Sequence, residues 1–375
     1  MEATKRTPFL RNPSVQALLA SVLCILLGLA VGYIALLIIN PAGAWDAITV
    51  ILKNFWQYSS QAAQLRYLGN TLVKAAPLAM CSLSVLFAYK VGLFNIGAAG
   101  QYVVGAGASL YCALAWQLPW YVCMLAAALA GALWGAVSGA LKACRNVNEV
   151  ISCIMLNWIG LYLVNTLLSA VKDPASPYTL KLNNANPAAL IPSLGLGQLF
   201  SKNRNVTIAI PLAIIIAVVI WVLLNKTRLG YELKATGMNK NAARYSGMRE
   251  KYNTILTMAI AGALAGLGAS MFFLSGFEEW AVTQSAVPAM GFNGIAAAFL
   301  GGLHPIGALF SSFFIQHITA GGAYIDMTMY SSQISDFISA MIIYLCGFVL
   351  FFKHFLNRWL DRRDEMKLRK EAEKK

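Results

Sequence analysis

Apolar residues run through this chain in long blocks, and polar residues gather between them. A helix crossing the hydrocarbon core of a bilayer needs about 20 mostly apolar residues. Residues 16–39 meet that requirement without a single charge. Further apolar runs occupy 68–89, 92–116, 118–141, 150–170, 206–224 and 254–275. Two shorter, Gly-rich pieces follow at 287–302 and 305–322, and a last run lies at 332–352. The pattern predicts an all-α polytopic transmembrane helix bundle with about ten spanning segments. The pieces flanking Gly301, Gly302, Leu303, His304 and Pro305 are short for full spans. They read as tilted helices or as half-helices buried in the bundle. Lys5, Arg6 and Arg11 precede the first run, as in a signal peptide. Its 24 residues exceed the roughly 7–15 of a signal-peptide core, so it reads as a retained span.

The polar stretches complete the organisation. They give a short N-terminal segment at 1–15 and a membrane domain at 16–352. That domain carries an external loop at 171–205 and a cytoplasmic loop at 225–253, and a basic tail at 353–375 follows it. Composition agrees: 58% of residues are apolar and 12% charged, about half the charge of an average soluble domain. The net charge of +14 raises nucleic-acid binding as an alternative. The distribution of the charges settles that. With the N-terminus inside and ten spans, 22 of the 29 Lys and Arg fall on the cytoplasmic side and six outside. Nine acids fall inside and six outside, so the cytoplasmic face carries +13 and the outer face is neutral. This positive-inside bias places both termini in the cytoplasm and accounts for the charge without nucleic acid. Lys74 falls near the outer end of its span, where a long side chain can snorkel.

Several chemistries have no sequence support. No G-x-x-x-x-G-K-[ST], H-E-x-x-H or G-x-S-x-G pattern occurs. The three His are His304, His317 and His354, with no acidic cluster beside them. The seven Cys form no C-x-x-C pair and read as small buried hydrophobes, not metal ligands. Ionisable residues are nearly absent from span centres. Glu149 is at a span edge and Asp336 near the start of the last span. That argues against a proton-coupled carrier, which needs a midplane carboxylate. Sodium coupling through carbonyls stays open. The spans are instead rich in small residues: Gly131, Gly135 and Gly139 on one helix face, Gly28 and Gly32, and Gly262 and Gly266. Such faces let backbones approach closely, either within one subunit or between subunits, the former being the commoner use.

Two constellations remain. In the loop 225–253, Asn239 can cap a short helix holding Ala242, Ala243 and Tyr245, which Gly247 would close. A small-faced helix of this kind suits docking on another protein, although a basic connector would show the same charge. In the spans, Phe94 offers a π-face, and Asn95, Gln101, Asn157 and Asn293 offer neutral hydrogen-bonding groups. They could line a path for an uncharged hydroxylated solute or, alternatively, join helices to one another.

Four blocks carry a resemblance. They are Val91 to Gln101 (VGLFNIGAAGQ), Asn148 to Asn157 (NEVISCIMLN), the loop just described, and Gly291 to Gly307 (GFNGIAAAFLGGLHPIG). Together they make the chain resemble a permease subunit of an ATP-binding-cassette importer. Its branch serves simple sugars, nucleosides and branched-chain amino acids, and the first two blocks resemble the nucleoside type most. That family often has Glu at the position of Ala99 and Asn at that of His304. The resemblance implies that the loop is a coupling helix seated on an ATPase, a role carried to Glu232, Ala235, Gly237, Asn239, Ala242, Ala243 and Gly247. It implies a non-enzymatic chain without a cofactor, set multi-pass in a bacterial plasma membrane. Its partners would be an ATPase subunit, a second permease (a paralogue or another copy of itself) and an extracellular substrate-binding lipoprotein. A ribose- or galactose-like sugar is the alternative cargo, and an ion-coupled carrier the more remote one.

Overall fold

The computed structural model describes residues 13–326, 328–331 and 333–372. The charges at 1–12 and 373–375 lie outside the described residues. The chain is built of helices: α1 Pro13–Ile39, α2 Ala44–Lys53, α3 Gln61–Lys90, α4 Ala98–Leu114, α5 Trp120–Arg145 and α6 Glu149–Leu168. Two one-turn helices, α7 Leu182–Ala185 and α8 Leu196–Leu199, lie in the long polar segment. Then come α9 Ala209–Lys226, α10 Arg228–Met238, α11 Lys240–Tyr245 and α12 Glu250–Phe273. The last are α13 Ala289–Leu300, α14 Pro305–Gly321, α15 Gln333–Cys346 and α16 Val349–Ala372.

Among the described residues, six helices are long and apolar enough to cross a membrane: α3, α5, α9, α12, the part of α1 at Leu19–Ile39, and α6 with its short extension to Val171. Their outward faces carry exposed Leu26, Leu129, Leu133, Ile159 and Ile215, the surface expected against lipid tails. The other four predicted segments hold the shorter helices α4, α13, α14 and α15. Helix α3 is the most enclosed of the long helices, with α4, α12, α13 and α14 packed around it. Helix α13 has 12 residues, about 18 Å at 1.5 Å per residue, well under the roughly 30 Å of hydrocarbon. It and α14 form an antiparallel pair joined at Gly301–His304. The joint turns through left-handed Gly302 and Leu303, and Pro305 starts α14.

Two elements depart from the apolar-run reading. Helix α4 begins at Ala98, not near residue 92, because 91–97 folds as turns started by Gly92 at φ +79°. Val91, Leu93, Phe94 and Ile96 look like span residues to a hydropathy reading, yet they line a turn. Helix α2 escapes that reading because its 10 residues are too few for a span. Ala44, Ala47, Ile48 and Ile51 are buried at helical spacing while Trp45 is exposed.

The small-residue ladders find their partners inside the chain. Gly131 and Gly135 of α5 lie against the backbone of α12 at Gly262 and Met258, and Gly266 lies against Ala127. Among the described residues no other pair of helices is in such extensive contact. Gly32 of α1 meets Ile338 of α15.

One end of the bundle is closed by non-helical chain. The Thr179 amide donates to the Trp280 carbonyl at 2.9 Å, and that of Val282 to Pro177 at 2.9 Å. Trp280 is buried and donates its indole N–H to Asn165 Oδ1 at 3.0 Å. Asn186 donates to the carbonyls of Ala113 and Leu118 at 2.8 and 3.0 Å, satisfying the C-terminal end of α4. Lys74 lies with its ammonium 5.2 Å from the ring centroid of Phe277 at this end. The opposite end carries α10, α11, the 91–97 turns and the α13–α14 joint.

Candidate functional site

Helices α10 and α11, which meet at Asn239, form a projection at that second end. Thr227 caps α10 by accepting from the Gly230 amide at 3.1 Å. Asn239 caps α11 by accepting from Ala242 at 3.0 Å, and Gly247, at φ +79°, closes it. The projection is held from beneath. Asn253 of α12 donates to Thr236 Oγ1 at 2.8 Å, with both residues buried. Ala243 is buried against the bundle, so it supports α11 and does not face outward. Glu232 is paired with Arg228 at 2.9 Å on the surface. Ala235 and Gly237 are half-buried, whereas Ala242 is exposed.

Gly237 touches the 91–97 turns backbone to backbone. A Cβ at Gly237 would fall on the Val91 carbonyl, and one at Gly92 would sit 2.8 Å from the Gly237 carbonyl. The projection therefore bears directly on the chain that starts α4.

Sequence reasoning gave Tyr245 no contact role and left out Met238, the two residues that the projection presents most. Met238 is 90% exposed and Tyr245 94% exposed, at the tips of α10 and α11. Tyr231 and Tyr252 add further exposed apolar surface, and they flank a hollow of ≈ 380 Å³ shared with Arg228, Met248 and Arg249. The signal was present: bulky apolar residues in an otherwise basic, polar loop. Clustered exposed apolar side chains are the kind of surface that a protein partner can bury.

The neutral amides in the spans are arranged differently. Asn95 and Gln101 form a reciprocal pair: Asn95 Nδ2 donates to Gln101 Oε1 at 2.8 Å, and Gln101 Nε2 to Asn95 Oδ1 at 3.1 Å. Asn95 also donates to Ser84 Oγ of α3 at 3.0 Å. Asn157 of α6 accepts from the Gly100 amide at 2.8 Å and donates to the Ile96 carbonyl at 3.2 Å. All three amides are buried. In this conformation they tie the 91–97 turns and the start of α4 to α3 and α6. Unpaired amides would be costly there, and these are paired. Phe94 and Asn293 are half-buried. Among the described residues Asn293 has no hydrogen-bond partner, so its amide is the one of the set still available to a solute. No group of His, Cys, Asp and Glu side chains fit to hold a metal occurs among the described residues.

The chain is thus a helical membrane bundle with a capped helical projection at one end and a hydrogen-bonded cap at the other. The chain belongs to the family described as the branched-chain amino acid transport system / permease component, whose model matches residues 67–347. Among curated relatives, it is 33% identical to the guanosine ABC transporter permease protein NupP of Bacillus subtilis, over 87% of this chain and 92% of that one. It is 31% identical to the nucleoside ABC transporter permease protein NupB of Lactococcus lactis, over 89% and 91%. The glucose ABC transporter permease protein TsgB13 of Haloferax volcanii is 30% identical over 91% and 90%. No solved structure matches the chain.

Proposed function

We propose that this chain is the membrane-spanning subunit of an ATP-driven importer that moves nucleosides across a bacterial plasma membrane. The observation that carries this reading is its likeness to guanosine and nucleoside permeases along about nine-tenths of both chains. ATP is hydrolysed on a separate subunit, which receives α10 and α11 with Met238 and Tyr245 as the contact residues. Closure of that ATPase pushes on Gly237, and Gly237 passes the displacement to the 91–97 turns and α4. This orientation puts the basic end in the cytoplasm, in accord with the excess of Lys and Arg there. A second permease, either a paralogue or another copy, completes the pathway. The uncharged pathway suits a nucleoside and suits a nucleotide poorly.

Uptake of labelled guanosine and uridine by cells carrying the complete transporter tests the cargo. Uptake is expected to require ATP, to survive a protonophore, and to be reduced by unlabelled nucleosides but not by free ribose or glucose. The glucose relative supports the second reading, a sugar permease. Competition by sugars alone would establish that reading and sink the first.

The cap at the other end receives the substrate-binding lipoprotein. Replacing the whole of 181–198 would be uninformative, because Leu182, Ala189 and Ile191 are part of the core. Leu194 and Leu199 are 78% and 68% exposed and offer an apolar contact. The double change Leu194→Lys and Leu199→Lys should lower uptake by about tenfold, the effect of losing about 1.4 kcal/mol of interface contact. ATPase co-purification should stay intact. Unchanged uptake would remove this surface from the docking site.

A further inference from the structure

A groove of ≈ 710 Å³ opens sideways from the bundle at the end that carries α10. Val22 and Ile25 of α1 form one wall, and Ile306 and Phe310 of α14 the other. Its floor is the α13–α14 joint, where Ser21 Oγ donates to the Leu300 carbonyl at 2.6 Å. Phe310 is 73% exposed, so the groove opens on the outer surface of the bundle and not on its interior. Its polar end is made by His304 and by Lys353 of α16.

The charge at that end is of one sign. Lys353 lies within electrostatic reach of Lys90, at the end of α3, and Lys90 within reach of Lys234 on α10. Among the described residues no carboxylate is paired with any of the three, and the acids of Lys142–Glu149 and Arg228–Glu232 are engaged elsewhere. The His304 ring accepts from the Ile306 amide through Nδ1 at 3.3 Å, which leaves Nε2 to carry its proton. Burial, and then the neighbouring Lys90 charge, hold its pKa below the usual imidazole value, so it is a neutral donor. Lys353 and His304 at the groove end, with Lys90 in reach of both and Lys234 beyond it, thus give two cations and one N–H donor where an apolar groove meets the membrane surface. This arrangement matches a phosphodiester headgroup followed by an acyl chain.

We propose that the groove between α1, α14 and α16 binds one anionic phospholipid. Its phosphate sits between Lys90, Lys353 and His304, and an acyl chain lies along Ile25 and Phe310. The proposal rests on the membrane reading of the chain and is independent of the cargo.

The test uses the assembled transporter in phosphatidylcholine bilayers, with a Phe310→Trp reporter and the parent as baseline. Brominated phosphatidylglycerol should quench the added fluorescence at a several-fold lower mole fraction than brominated phosphatidylcholine does. Each of Lys353→Gln and Lys90→Gln should cut that preference by about fivefold, the effect expected of one cation at a membrane surface. Salt at 1 M should weaken it, because screening then acts within roughly 3 Å. Inorganic phosphate at millimolar concentration should not displace the lipid. Equal quenching by the two lipids, or a preference untouched by both lysine changes, would overturn the proposal. So would displacement by phosphate, which would mark a free-anion site. A reporter quenched by neither lipid would overturn it too, since a protein partner would then cover the groove. None of these readings depends on which solute is carried.

Discussion

Gly237→Ala should abolish most uptake while leaving the protein inserted in the membrane. The added methyl group has no place to go. It would fall on the Val91 carbonyl, and the neighbouring atoms are the backbone of Gly92, itself left-handed at φ +79°. Backbone cannot turn aside as the end of a side chain can. Overpacking of this kind costs about 1–3 kcal/mol. It is relieved by lifting α10 off the turn, and that separates the docking projection from the start of α4. Uptake should fall tenfold or more, and substrate should no longer stimulate ATP hydrolysis. Ala243→Arg should act similarly by prising α11 from the bundle, since Ala243 is buried there. Ala242→Arg sits on the exposed face of the same helix. It should leave bundle stability unchanged and weaken only ATPase co-purification. Normal coupled uptake in Gly237→Ala would mean that the ATPase stroke does not pass through this contact.

Gly135→Leu should prevent folding altogether. At Gly131, Gly135, Gly262 and Gly266, α5 and α12 touch through their backbones, and each Cβ would land on a carbonyl of the facing helix. Lipid tails are as apolar as leucine, so helices in a bilayer associate through close packing and not through hydrophobic expulsion from water. Forcing these two apart removes the largest helix–helix contact in the bundle. The expected result is loss of monodisperse protein on extraction, with degradation in cells. Gly139→Ala is the graded control. Its Cβ would lie 3.0 Å from Met258 Cβ and Ile255 Cα, so one flexible side chain and a small helix shift can accommodate it. A fall of a few degrees in Tm is expected there. Equal behaviour of the two variants would show that backbone contact is not what holds the pair.

The capped helix in the loop 225–253 was legible because it depends on residue type at a position. Asn239 caps α11 and Gly247 ends it through local stereochemistry, which neighbours in sequence decide. The same holds for the long spans, where hydrocarbon thickness sets the length of the apolar run. Asn95, Gln101 and Asn157 show the limit. As isolated amides in a sequence they fit a solute path or a helix tie equally well, and their partners are 6 to 61 residues away. The orientation of Ala243 and Tyr245 is similar. Two residues apart on one short helix, they face in opposite senses, one buried and the other 94% exposed.

By itself the sequence determined an all-α membrane bundle, the long segments able to span it and the capped helix in the loop 225–253. These follow from local composition and from the bilayer as solvent. Only the tertiary structure decided that 91–97 is a turn pressed against Gly237, that the glycine ladders meet each other, and which apolar side chains the docking loop exposes. It also brought Lys90, His304 and Lys353 to the end of one groove. Each of these depends on contacts between helices distant in sequence, and close approach of backbones leaves no periodic trace by which one helix names its partner.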